Sequence, residues 1–404
     1  MIALLCSAAV AIPQELEASG PRDLEAVLAA HPEKFAAVLD AHAQLRLQLS
    51  VAELVERPDG SLALERSTLG DLDEYFYPAS SIKTAAAVAA LEFVEELNAE
   101  HGTAFGLESE LEFAPLFEGE VRAVADPSNL AGGRITLGHE IRKLSIVSDN
   151  EAFNRLYELV GQDRLDASMA RAGFPSFRLV HRLSEWRSPE ENLRSPSILL
   201  REGRGGEQLV LPARVSAPAE PGREVSGLYA GDRYVGGSGQ LVEEPFSFHG
   251  KNRVDLVELQ DFLVELVRPE VDTGRRGFPG LTAEQRAFLL EAMRELPRES
   301  ANPVYDPDHY GDDYVKFLLP GLERVLDPAR IRIWNKVGLA YGFTVENACV
   351  QDVETGRCFF VAAALYTNPN RTLNDGVYGY DDVALPFYAD LGEVLGRLLL
   401  SVED

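Results

Sequence analysis

The chain has 404 residues, 46% of them hydrophobic, with 38 basic against 65 acidic side chains and a formal charge of -27. That is ample apolar material for a large core, on the scale of about two or three domain-sized units. So acidic a surface repels nucleic acid and anionic membranes and argues against both as partners.

Met1 to Ala11 is a short apolar run ending Ala9-Val10-Ala11, with the character of an export signal and its small-residue cleavage site, though it lacks a basic front end. It places the protein outside the cytoplasm, periplasmic or extracellular, with the rest of the chain, 21–404, as the mature unit. No other stretch approaches the roughly 20 apolar residues of a membrane span. Leu24 to Leu39 has helical spacing interrupted by Pro32. Gln44 to Leu54 alternates and reads as a strand, and after the turn Pro58-Asp59-Gly60 a second strand returns over Ser61 to Ser67.

Tyr77-Pro78-Ala79-Ser80-Ser81-Ile82-Lys83 then leads into an alanine-rich run, Ala85 to Phe93, that reads as a helix buried nearly all round. Ser80 sits where an N-cap serine belongs. Lys83, three residues on, shares its face of the helix. Only six of the basic residues are lysines, namely Lys34, Lys83, Lys143, Lys251, Lys316 and Lys336. Arg thus supplies general surface charge, and a lysine entering an apolar helix is available for another use. A desolvated lysine can lose its proton and activate a neighbouring hydroxyl, which an arginine cannot do.

Acidic loops follow over Glu108 to Glu120, then a break at Ala131-Gly132-Gly133. Leu137 to Val147 and Ala152 to Val160 read as helices with Ser148-Asp149-Asn150 between them, and Leu165 to Ala172 as a further short helix. From Arg187 to Gln240 the composition turns to Gly, Pro, Ser and Arg, which reads as a long loop followed by an inserted β-rich flap over about 201–245. Val254 to Val267 and Thr282 to Leu296 are amphipathic helices. Arg330 to Lys336, Gly342 to Val353 and Cys358 to Tyr366 are strands, and Ala384 to Leu400 is a closing helix. Strands at both ends of the chain, about 43–75 and 325–404, are expected to join one antiparallel sheet flanked by the first and last helices. A helical lobe, about 80–200 and 250–320, lies against it, with the site at the junction.

Of the three cysteines, Cys6 falls in the signal. Cys349 and Cys358 flank the turn Glu354-Thr355-Gly356. A bulge at Gly356 would pair Asp352 with Cys358 and put the cysteines on opposite faces, without a disulfide. No zinc spacing, phosphate loop or dinucleotide fingerprint is present, and no cofactor is expected.

Three motifs therefore stand in order: Ser80-x-x-Lys83, Ser148-Asp149-Asn150 and Lys336-Val337-Gly338. In that order, each on its own element, they resemble the S-x-x-K, S-D-N and K-T-G set of class A β-lactamases and penicillin-binding proteins. The chain resembles the class A β-lactamase-related serine hydrolases, from about Ala43 onward. The resemblance implies an α+β, β-lactamase-like fold: an antiparallel sheet flanked by helices, an all-α lobe and, here, the inserted flap. It implies a serine hydrolase acting on a small-molecule or peptide substrate, an amide, lactam or ester. Ser80 would be the nucleophile, Lys83 the base and Ser148 a proton relay. Asn150 would bind a substrate amide and help place Lys83, and Lys336 would supply positive potential. The backbone N–H groups of Ser80 and Leu339, the latter just past Gly338, would form the oxyanion hole.

Two departures stand out. Val337 occupies a position where the family has a hydroxyl that holds the substrate carboxylate. The loop Arg182 to Pro196 contains Glu190, Glu191 and Asn192, but neither glutamate stands four residues before Asn192, as the family's water-activating acid does. Acylation chemistry is expected to survive, while efficient β-lactam hydrolysis stays open. The competing reading is a catalytically silent relative whose cleft and flap bind a cell-wall or protein partner. The sequence leaves the oligomeric state open.

Overall fold

The computed structural model describes residues 20–203, 205–218 and 222–401. The expected signal at 1–11, with Cys6, lies outside them. The first helices are α1 (Leu24–Ala29) and α2 (Pro32–Asp40), the second beginning at Pro32 because proline suits a first helical turn. Strands β1 (Gln48–Glu56) and β2 (Leu62–Leu69) pair as a hairpin. A 3-10 turn, Ala79–Ile82, runs into α3 (Lys83–His101), which ends at Gly102 in the left-handed conformation. The short strand β3 (Glu110–Phe113) precedes α4 (Leu137–Ile146), α5 (Asn150–Val160), α6 (Gln162–Ala172) and the single turn α7 (Pro189–Asn192).

The stretch 194–247, which holds the expected insertion at about 201–245, is built from two- to four-residue strands: β4 (Arg194–Ser195) and β5 (Ile198–Arg201) just before it, then β6 (Gln208–Leu211), β7 (Arg214–Val215), β8 (Tyr229–Ala230), β9 (Arg233–Val235), β10 (Leu241–Val242) and β11 (Phe246–Ser247). They stitch this stretch to the body at several places. β5 pairs with β3 and β9 with β15 (Thr372–Leu373), near the chain's end. After it come α8 (Leu256–Val267), α9 (Ala283–Arg294), α10 (Leu319–Leu322), β12 (Ile331–Ala340), β13 (Phe343–Asp352), β14 (Cys358–Tyr366) and α11 (Leu385–Leu399).

The main sheet has the order β12-β13-β14-β1-β2, every neighbouring pair antiparallel, so the two strand groups at opposite ends of the chain do form one sheet. Strand alternation splits the core in two. Leu49, Val51, Ile333, Val350 and Val361 face α1, α2, α10 and α11. Ala52, Leu54, Val345, Phe360 and Ala362 face α3, α8 and the helical lobe. Every residue of α3 from Lys83 to Leu91 is buried, as an alanine-rich run without a polar stripe requires.

Three sequence expectations need correction. Ser80 is not an N-cap: it lies inside the 3-10 turn, and α3 begins at Lys83. Lys336 does not end its strand, because β12 continues to Ala340 along β13. Cys358 pairs with Gln351 rather than Asp352. That one-residue difference puts Cys349 and Cys358 on the same face, and both are free thiols.

The last two helices lock through glycines. A Cβ on Gly392 of α11 would collide with the carbonyl of Leu318, and one on Gly321 of α10 with that of Ala389. In an isolated helix Gly→Ala gains roughly 0.5–1 kcal/mol, but overpacking against rigid backbone costs about 1–3 kcal/mol. Gly392→Ala is therefore expected to lower the unfolding free energy by about 1–2 kcal/mol in urea denaturation; a more stable variant would show that the helices do not touch here.

Candidate active site

Ser80 is presented by a strained turn. Ala79 has φ 47, a left-handed conformation uncommon for a residue with a side chain. The turn's first bond runs from the Ser81 N–H to the Pro78 carbonyl at 3.0 Å, so the Ser80 N–H lies ahead of the ladder and is free to act as a donor. Ser80 is partly exposed and borders two cavities, of about 950 and 500 Å³.

Lys83, one turn below, is fully buried. Its Nζ donates to the Ser148 carbonyl at 2.5 Å, to Asn150 Oδ1 at 2.7 Å, to the Asp149 carbonyl at 3.2 Å and to Ser148 Oγ at 3.3 Å. Among the described residues it makes no hydrogen bond to Ser80. Burial, followed by the nearby Lys336 cation, holds its pKa well below 10.5, with Asp149 opposing weakly. Its acceptors carry no charge to offset that burial, so the shift is toward the neutral amine. That state suits a base.

The Ser148-Asp149-Asn150 segment earns its shape locally. Ser148 has φ 60, Asp149 caps α5 by accepting from the Ala152 N–H at 2.7 Å, and the Asp149 N–H donates to the Lys143 carbonyl at 3.2 Å. Asn150 uses both ends of its amide: Oδ1 accepts from Lys83 and Nδ2 donates to Ser184 Oγ at 2.8 Å. Beneath the loop, Lys143 and Arg155 are paired with Asp126 and Glu140. This buried ion cluster fixes α4 against α5.

Lys336 Nζ donates to Ser148 Oγ at 2.8 Å, so Ser148 lies between the two lysines. Burial lowers Lys336 to about 7; Glu346 opposes the shift and Lys316 adds to it. Behind β12 a polar network supports this. Asn335 donates to Glu346 at 2.8 Å and accepts from Lys316 at 2.9 Å, and Glu346 is raised to about 7, chiefly by burial. Sequence reading missed Lys316, Asn335 and Glu346; their only advance signal was that lysines are scarce.

Gly338 explains its own identity. A Cβ there would strike the Pro78 carbonyl and stand 3.1 Å from the Ser80 nitrogen and 3.0 Å from that of Ser81. β12 therefore lies directly on the Ser80 turn. The next residue, Leu339, borders the same two cavities as Ser80, which puts both expected oxyanion donors on one rim. All seven expected residues, Ser80, Lys83, Ser148, Asn150, Lys336, Gly338 and Leu339, converge.

The loop acids do not join them in the same way. Glu191 is spent in a capping box, accepting from the Ser188 N–H at 2.8 Å while Ser188 Oγ accepts from the Glu191 N–H at 3.2 Å. Glu190 is exposed at the rim of the larger cavity. Asn192 is buried and fastens the loop through the Arg182 N–H and the Arg187 and Ser188 carbonyls. Ser188 stands four residues before Asn192. Val337 is buried and lines the smaller cavity with Val315 and Phe317, an apolar wall. Among the described residues no metal-ligating cluster occurs and no helix is long and apolar enough to cross a membrane.

Residues 37–202 match the model of a beta-lactamase enzyme family. Solved structures similar to this one include a β-lactamase from Desulfarculus baarsii DSM 2075, 17% identical, TM-score 0.46, covering 91% of this chain and 98% of that one. A β-lactamase from Burkholderia vietnamiensis is 15% identical, TM-score 0.46, with 94% and 98% covered. One from Sphaerobacter thermophilus DSM 20745 is 12% identical, TM-score 0.45, with 92% and 96% covered. No curated protein matches. The family match thus spans the first two motifs, Ser80-x-x-Lys83 and Ser148-Asp149-Asn150, and the main sheet brings the third, Lys336-Val337-Gly338, to them.

Proposed function

We propose that the protein is a serine acyl hydrolase in which Ser80 is acylated by an amide, lactam or ester. The observation that carries the reading is the fully buried Lys83 amine, its pKa pushed down by burial and by Lys336, joined through Ser148 Oγ to Lys336. In acylation, Ser80 Oγ bonds to the carbonyl carbon and its proton passes to Lys83. The oxygen takes the negative charge and is held by the backbone N–H groups of Ser80 and Leu339. Collapse breaks the bond to the leaving nitrogen or oxygen, which receives a proton from Ser148 Oγ, while Ser148 recovers one from the Lys83 ammonium at 3.3 Å. Water then releases the acid. Among the described residues of the loop 182–196, no carboxylate is free beside Ser80 as the family's is: Glu191 is a cap, Glu190 is exposed and Glu185 is paired with Arg187. We therefore propose slow turnover, with the acyl-enzyme as the long-lived species. A binding protein without chemistry has no use for a buried, desolvated amine one turn from a serine presented by a strained turn. Export is part of the same proposal and rests on residues 1–11 alone.

Mass spectrometry after incubation with a penicillin-type probe and an activated ester should show one adduct on Ser80, absent in Ser80→Ala, that persists for minutes. No adduct from either probe refutes the proposal. Lys83→Met should slow adduct formation by roughly 10²–10⁴-fold, the usual size of a general-base contribution.

The pH dependence of acylation follows from two lysines with opposite requirements. Lys83 must be neutral, a fraction that grows as pH rises through its lowered pKa. Lys336 must be charged, a fraction lost as pH rises through about 7. The acylation rate should therefore fall on the alkaline side with an apparent pKa near 7. A rate still climbing at pH 9 would remove Lys336 from its role.

A further inference from the structure

The cavity of about 950 Å³ runs from Ser80 to a wall that the three motifs do not explain, where Lys251 stands at the end of the inserted region. Lys251 Nζ donates to Tyr341 Oη at 3.2 Å and lies 5.1 Å from the Tyr341 ring centre and 5.8 Å from that of Phe246. An ammonium has three donors, so two remain. The other lysines are occupied. Lys34 and Lys143 are paired with carboxylates, Lys316 is filled by two carbonyls and Asn335, and Lys83 and Lys336 belong to the Ser80 site. Among the described residues Lys251 has no carboxylate partner within 4 Å, in a chain carrying 65 acids. The acids that share its cavity are placed elsewhere: Glu185 is paired with Arg187, and Glu190 is exposed. His181, on the same wall, is held neutral with a pKa of about 4, chiefly by burial. Lys251 also opens on a second cavity, of about 510 Å³, that carries Arg178, Arg223 and Arg253. Arg223 is itself paired with Asp73 and Asp255, and Glu224 shares that cavity, whereas Arg178 and Arg253, like Lys251, have no carboxylate within 4 Å among the described residues.

The two sides of Ser80 differ in kind. The smaller cavity contains Ser148, the proposed donor to the leaving group, with Asn150, Asp313 and Tyr314 beside the apolar Val315 and Val337. The larger one contains the strand residues Leu339, Ala340 and Tyr341 and Lys251, but not Ser148. A substrate that leaves past Ser148 keeps its acyl arm in the larger cavity.

We infer that Lys251 is the recognition site for a carboxylate at the far end of the substrate's acyl arm, so that this enzyme prefers acyl donors with an anionic arm. The inference rests on the acyl-enzyme reading above. The test uses two activated esters with the same leaving group, one with an acyl arm ending in a carboxylate and one ending in the isosteric primary amide. The readout is the ratio of their rates of Ser80 labelling within each variant. One charge-assisted hydrogen bond predicts a ratio of about 10 in the unaltered protein, falling with added salt. The ratio should drop to about 1 in Lys251→Met and be largely restored in Lys251→Arg. Because each ratio is taken within one protein, loss of folded material cancels. A ratio near 1 in the unaltered protein, or one unchanged in Lys251→Met, overturns the assignment alone. Failure of both esters to label Ser80 overturns the acyl-enzyme reading and this inference with it.

Discussion

The site depends on one buried amine. Lys83 is surrounded by the Ser148 and Asp149 carbonyls and the Asn150 side chain, all uncharged acceptors, and the nearest other cation is Lys336. An ammonium in that position is desolvated and lies near a second cation, and both push its pKa down. The same contacts that satisfy the amine hold the Ser148–Asn150 loop in its left-handed turn. Catalytic readiness and local order are therefore the same interaction seen from two sides.

That interaction can form only if three distant segments meet, and the sheet makes them meet. β12 is an edge strand, paired on one side with β13, and its free side lies on the Ser80 turn because Gly338 has no side chain to hold it off. Lys336 then projects to Ser148 from two residues before the glycine. Polar groups buried behind the strand, Asn335, Glu346 and Lys316, hold one another in a closed set of hydrogen bonds. Such a network, once fully satisfied, fixes a strand more sharply than apolar packing does. On the smaller cavity, Val337 brings an apolar side chain where the motif's hydroxyl would stand, beside Val315 and Phe317.

Much of this was legible in the chain, and the reasons are local. The alanine run of α3, the alternation of β1, the short continuous apolar run of β14, and the capping types at Asp149 and Thr282 each specify their element within a few residues. The seven site residues were readable because the motifs are short and each lies on one element. What escaped depended on register or on distant partners. The turn after Asp352 closes one residue differently from expectation, and that is enough to move Cys358 to the face of Cys349. Ser80 reads as a cap by type, yet the chain tightens into a 3-10 turn before α3 because β12 packs against it. The capping box between Ser188 and Glu191 has a sequence signature, but its consequence, an acid removed from the chemistry, shows only in three dimensions. Lys251 gave no local signal at all, since its unpartnered state is a property of the whole cavity wall.

The central claim is that Lys83 is an uncharged amine in the folded protein, and NMR of the protein labelled with 13Cε-lysine tests it directly. Six lysines keep the spectrum simple. The account predicts a Cε signal, missing in Lys83→Arg, that has the shift of a neutral amine at pH 7 and titrates far below 10.5. A Lys83 signal with the shift of an ammonium ion throughout the neutral range, titrating near the ordinary lysine value, would contradict it.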